Sequence, residues 1–167
     1  WEVPDGIKEV VLDSGAKRVG HGSQIINDIS FENGSIIFNN EAAKYVFENK
    51  IALEICPTSN VQCGAYSNVS EHSFGELYKA GFNVTINTDN RLMSDITMSE
   101  EVNNVVESFA LTEKDILSIT RNTIQAGFVS PKLKNKALEK LSWLSVLFLD
   151  LYMKNVMDIF ENWGNQS

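Results

Sequence analysis

Three short clusters in this chain have residue types suited to hydrolytic chemistry. The first is His21, set between Gly20 and Gly22. The second is Thr58-Ser59-Asn60, directly after Pro57. The third is Asn87-Thr88-Asp89-Asn90. An imidazole can take or give a proton near neutral pH. A carboxylate can hold a cation that activates water. A hydroxyl and amides add donors and acceptors around them. Together these types suit metal-assisted hydrolysis. Each cluster also has a plainer reading. Asp, Asn and Pro favour turns, and a single His is most often a hydrogen-bonded packing residue.

Their setting raises their interest. Each follows a short run with strand character. Arg18-Val19-Gly20 precedes His21, and Ile51-Ala52-Leu53-Glu54-Ile55-Cys56 precedes Pro57. Phe82–Asn90 reads FNVTINTDN, where Phe82, Val84, Ile86 and Thr88 alternate with polar partners. Helical patterns lie between and after them. Residues 40–49 use Ala43, Val46 and Phe47 as a buried stripe. Residues 71–80 use Phe74, Leu77 and Tyr78, with Gly81 as the stop. The repeat of strand, helix and strand at roughly thirty residues predicts βα units and a parallel sheet. Parallel strands put their C-terminal tips on one face, where such barrels and open sheets place their sites.

The remaining segments read as follows. Pro4 and Asp5 open a helix with Ile7, Val10 and Val11 on one face, stopped by Gly15. Residues 23–35 read as loop, as do 61–70 and 91–95. His72, near the start of its helix, reads as a local packing residue. Thr97-Met98-Ser99-Glu100 fits a capping box and predicts a helix to about Phe109. Thr112 caps a helix to about Ala126, and Ser130-Pro131 opens one to about Leu141. Residues 142–160 are strongly apolar, with Asp150, Lys154 and Asp158 in one stripe. That pattern predicts an amphipathic packing helix rather than a membrane span.

The bulk numbers narrow the function classes. With 167 residues, 43% hydrophobic and 22% charged, the chain is expected to form one folded domain, 1–167. A net charge of -8 argues against a nucleic-acid partner, since phosphate backbones need clustered Lys and Arg. A small nucleoside stays open. Cys56 and Cys63 fit neither a disulfide framework nor a C-x2-C zinc half-site. No signal or targeting pattern stands at the N-terminus, and a cytoplasmic location with no membrane partner is expected.

Three motifs then point to one family. Arg18-Val19-Gly20-His21-Gly22, Leu53-Glu54-Ile55-Cys56-Pro57-Thr58-Ser59-Asn60 and Val84-Thr85-Ile86-Asn87-Thr88-Asp89 resemble elements of the adenosine deaminase family, in order and at about the family's spacing. The resemblance covers about Pro4–Leu141. It implies an α/β fold, the C-terminal part of a (β/α)8 TIM barrel with about three parallel strands and flanking helices. It implies zinc-dependent hydrolytic deamination of adenosine to inosine and ammonia. Asp89 would be a zinc ligand. His21 would be the catalytic imidazole beside the attacking water, assisting its deprotonation. Asn90, where many members have a second Asp, would bind the purine at N7.

The family's other ligands are not in this sequence. The resemblance implies an H-x-H pair, a third His and a general-acid Glu in an H-A-G-E element upstream. The chain has two histidines in all, His21 and His72. A catalytic zinc takes three protein ligands, so the chain is expected to be the C-terminal portion of a longer deaminase. It would then need a complementary N-terminal half or an oligomeric partner, besides its aminopurine nucleoside substrate. Two other readings are a deaminase for another aminopurine, and a non-catalytic remnant that binds a partner through its apolar tail, 141–167. A cysteine-type zinc deaminase fails for lack of H-x-E and P-C-x-x-C.

Overall fold

Three parallel strands carry the site. In the computed structural model, which describes residues 9–143, β1 is Arg18–Gly20, β4 is Ala52–Ile55 and β5 is Val84–Ile86. They pair in the order β1-β4-β5, with Val19 opposite Leu53 and Leu53 opposite Val84. Every residue of β5 is buried, including Thr85, whose hydroxyl donates to the Leu53 carbonyl at 3.3 Å. Burial on both faces is what a parallel strand flanked by helices requires. The strand expected over the longer Phe82–Asn90 run therefore pairs only through its middle. Its polar end turns away into the site.

Helices fill the connections. α1, Glu41–Glu48, starts at Asn40, whose side chain accepts the Ala43 N–H at 2.8 Å. It buries Ala42, Ala43 and Val46. α2 is Pro57–Gln62 and α3 is Phe74–Ala80, closed by Gly81 in a left-handed conformation. α4 is the short Arg91–Ser94. α5, Met98–Phe109, has the expected capping box, with Thr97 N–H donating to Glu100 Oε2 at 2.7 Å and Glu100 N–H to Thr97 Oγ1 at 3.2 Å. α6, Glu113–Ala126, begins with the same reciprocal pair made by Thr112 and Asp115. The core unites Val19, Ile25, Leu53, Ile55, Phe74, Leu77, Val84, Val105 and Ile119.

Some segments depart from the sequence reading. Residues 23–35 are not loop. They hold a 3-10 helix, Ser23–Asp28, and then a hairpin of β2, Ile29–Glu32, and β3, Ser35–Phe38. Its turn is Asn33-Gly34, both at positive φ (50° and 77°). This two-residue turn matches the twist of the strands it joins. Residues 57–62 and 91–94 form short helices, where 61–62 and 91–94 are expected as loop and 57–60 as a polar strand tip or turn. Proline at the first helical position ends β4 and starts α2 in one step.

The chain divides into two units, Trp1–Ala126 and Gly127–Ser167. In the second, residues 131–143 are helical, as Ser130-Pro131 predicts. Most of the amphipathic segment expected over 142–160 lies outside the described residues, as does the expected start of the first helix at residues 4–8. No helix among the described residues is long and apolar enough to cross a membrane.

Candidate active site

The ladder between the strands continues one step past β1 and β5. His21 N–H donates to the Glu54 carbonyl at 3.0 Å, and Asn87 N–H to the Ile55 carbonyl at 2.9 Å. The backbone then turns sharply at both tips. His21 and Asp89 each have a left-handed φ of 57°. For residues with a Cβ this costs about 1–2 kcal/mol, and such strain gathers where a fold places side chains for function. Gly22 follows at φ 67°, and a Cβ there would lie 2.8 Å from Leu53 Cδ2. A larger residue at that turn would be strained in the backbone and would force the Leu53 or Val19 side chain to shift.

These turns bring the expected residues together. His21 Nε2 lies 3.7 Å from Asp89 Oδ2, too far for a direct hydrogen bond. Both side chains are a little over two-fifths exposed (44% and 43%), so a ligand can reach them. Ser59, from the first turn of α2, donates its hydroxyl to Asp89 Oδ2 at 2.7 Å. An open cavity of about 390 Å³ is lined by Gly20, His21, Glu54, Cys56, Asn87, Thr88, Asp89 and Met98. Asn90 sits at the edge of this group. It is exposed and caps α4, where its Oδ1 accepts the Met93 N–H at 3.2 Å. That bond occupies the amide oxygen and leaves the Nδ2 donors for a ligand.

His72 is more than a local packing residue. It is buried, 3% exposed, and touches the site through Asn60. The Phe74 N–H donates to its Nδ1 at 2.9 Å, and its Nε2 lies 3.2 Å from Asn60 Oδ1. The Asn60 Nδ2 lies 3.3 Å from His21 Nδ1. Tyr66 stacks on the His72 ring at 4.0 Å. The Tyr66 hydroxyl meets Ser73 Oγ at 2.8 Å, and Ser73 donates to the Ser23 carbonyl at 3.0 Å. Burial, with the nearby His21, pushes the His72 pKa down to about 4. The ring is neutral at physiological pH. Nothing in its sequence neighbourhood announces this role, because Asn60, its link to the site, lies on another element.

Glu101 is another residue that sequence reasoning passed over. It is fully buried in α5, and its carboxylate accepts both the N–H (2.9 Å) and the hydroxyl of Thr58. It thus holds the start of α2, which carries Ser59 and Asn60. Cys56 lies between these acids. Burial, then the charges of Asp89, Glu101 and Glu54, push its thiol up to about 12. Both cysteines are free thiols, Cys56 buried and Cys63 exposed. At about pH 8 the Cys56 thiolate is on the order of one part in ten thousand. Brief iodoacetamide treatment followed by peptide mass spectrometry is therefore expected to label Cys63 and leave Cys56 free.

The donor set was tested against a zinc ion. Asp89 fits as one ligand: it is a half-exposed carboxylate whose Oδ2 is oriented by Ser59. Such an outer hydrogen bond is how ligating carboxylates are usually aimed. Among the described residues, however, no group of three or more His, Cys, Asp or Glu is placed to hold a metal. One carboxylate and a neighbouring imidazole make an incomplete site.

The adenosine deaminase family profile matches residues 2–143. The adenosine deaminase of Mycobacterium sp. (strain JLS) is 41% identical over 123 residues, which is 74% of this chain and 34% of that protein. The adenosine deaminase of Mycobacterium marinum is 40% identical over 124 residues, with the same shares. The chain thus spans about a third of the length of these relatives. Among solved structures, an adenine deaminase from Arthrobacter aurescens aligns with a TM-score of 0.72 at 20% identity, covering 83% of this chain and 39% of that one. The N6-methyl-AMP deaminase of Arabidopsis thaliana aligns with a TM-score of 0.68 at 24% identity, covering 85% and 38%. The parallel strands and flanking helices are part of a (β/α)8 barrel. By its sequence match over residues 2–143, the chain belongs to the adenosine deaminase family.

Proposed function

We propose that this chain supplies the C-terminal share of a zinc-dependent active site that hydrolyses the 6-amino group of a purine nucleoside, converting adenosine and water to inosine and ammonia. The observation that carries this reading is the meeting of His21 and Asp89 at the tips of β1 and β5, beside an open cavity. Adenosine is favoured among aminopurines because relatives at about 40% identity are adenosine deaminases. Zinc, when bound, supplies acidification of a water toward a pKa of ~7.

The chain's own residues do the rest of its share. Asp89 provides one carboxylate ligand, oriented by the Ser59 hydroxyl. His21 stands 3.7 Å from that carboxylate, with its Nε2 positioned to interact with the water that adds to C6. Asn90 offers an amide N–H to purine N7, which accepts without any prior protonation of the protein group. The remaining zinc ligands and the acid that protonates N1 come from barrel segments outside this chain, either an N-terminal portion or a partner chain. A cytoplasmic setting, with a free nucleoside as substrate, goes with this reading.

The test measures adenosine-to-inosine conversion by ultraviolet absorbance, with zinc present. The chain is assayed alone and then co-expressed with the N-terminal portion of the Mycobacterium marinum enzyme. Activity is expected only in the combination, and is expected to fall by at least about a thousandfold in Asp89→Ala. A folded, soluble combination with no deamination of adenosine, adenine or N6-methyl-AMP overturns the reading. Retention of activity in Asp89→Ala overturns the assignment of that ligand.

A further inference from the structure

We infer that Asn60 and the buried His72 are positioning residues that fix the proton of neutral His21 on Nε2, so that His21 faces the cavity as a hydrogen-bond donor. The direction of each bond follows from one donor of fixed identity. The Phe74 backbone N–H donates to His72 Nδ1 at 2.9 Å, so that nitrogen carries a lone pair. The ring is neutral, since burial holds its pKa near about 4, and its single proton must lie on Nε2. That proton meets Asn60 at 3.2 Å. Only the amide oxygen can accept it, because the reversed amide would set N–H against N–H. The amide nitrogen of Asn60 is thereby turned to His21 Nδ1 at 3.3 Å. An amide N–H can only donate, so His21 Nδ1 accepts and its own proton resides on Nε2.

The site is built for this order. Asn60 and His72 are 7% and 3% exposed, so water does not readily replace either bond. Tyr66 covers the His72 ring, and its hydroxyl is tied through Ser73 to the Ser23 carbonyl beside Gly22. The chain of bonds therefore begins and ends in the segment that carries His21. Its chemical consequence rests on the deaminase reading above, although its geometry does not. A neutral His21 with its proton on Nε2 has no lone pair there. It steadies the incoming oxygen by donating, and proton removal from the water at that nitrogen requires the other tautomer. Asp89, whose Oδ2 lies 3.7 Å from Nε2, is then the acceptor available beside it.

The tautomers can be read directly. The chain has two histidines, so a long-range proton–nitrogen correlation spectrum of the 15N-histidine-labelled chain contains two imidazoles. At about pH 8, where an ordinary imidazole is neutral, both are expected as the Nε2–H form. In Asn60→Asp the introduced carboxylate can only accept, so His21 is expected to switch to Nδ1–H while His72 keeps its form. In the combination with the mycobacterial N-terminal portion, Asn60→Asp is expected to lower kcat by at least roughly tenfold with KM within about twofold. A wild-type His21 in the Nδ1–H form overturns the inference without any variant. So does an unchanged His21 tautomer in folded Asn60→Asp. If the combination shows no deaminase activity, the functional reading fails, while the spectrum still decides the wiring.

Discussion

His21→Ala is expected to lower the turnover of the combined enzyme by about 10²–10⁴-fold, the range for losing a side chain that handles or holds a proton in the transition state. The loss should appear in kcat and in kcat/KM alike, because the proposed function puts His21 beside the reacting atoms rather than the purine rim. Folding should change little. The His21 side chain is 44% exposed and outside the apolar core, and its backbone tie to Glu54 survives the substitution. Alanine at φ 57° keeps a left-handed strain similar to that of histidine. Steady-state kinetics beside a urea melt of the same preparation check both halves. A loss of only a few-fold, with the melt unchanged, would show that the water is handled without this imidazole. A lost melt would show that His21 is structural after all.

Features local in sequence were the ones that could be read before the structure. The β-branched run around Val84–Ile86, the capping box of Thr97 and Glu100, and Gly81 as a helix stop each act over a few residues. Their local pattern already specifies their conformation. The strand ends before His21 and Asp89 were legible for the same reason, since each short strand run is followed by a polar turn. The Asn33-Gly34 hairpin was also local and was missed. Ile29-Ser30-Phe31-Glu32 alternates apolar and polar residues directly before Asn33-Gly34, so the hairpin signal was present and the loop expectation passed over it. His72 and Glu101 were not legible in principle. His72 meets Asn60 across 12 positions, and Glu101 meets Thr58 across 43. A histidine at a helix start and the second acid of a Glu-Glu pair look alike whether buried or solvated. Only the tertiary fold shows that they hold the short helix α2, which carries Ser59 and Asn60.

Glu101→Ala is expected to destabilise the chain by about 3–5 kcal/mol, the largest stability effect of any single side chain considered above. Three terms add. Two hydrogen bonds to a charged acceptor are lost, each worth about 1.5–3 kcal/mol. The Thr58 N–H and hydroxyl are left without that acceptor in a part-buried setting. The vacated volume lies in a fully buried place, and a partly collapsed cavity adds its own cost. An acid near the N-terminus of α5 also interacts favourably with the helix dipole, by about 0.3–1 kcal/mol. Glu101→Gln separates these effects. Its amide oxygen keeps the Thr58 N–H, and the Thr58 hydroxyl can rotate to accept from the new NH2, so a loss of about 1–2 kcal/mol is expected. Urea midpoints measure the global effect, and hydrogen exchange at the Thr58 amide measures the local one. Equal midpoints for wild type and Glu101→Ala would show that water replaces the carboxylate at the start of α2. A large fall with fast Thr58 exchange would show that α5 holds α2 in place, and that the geometry of Ser59 and Asn60 toward Asp89 and His21 depends on a residue buried one layer behind them.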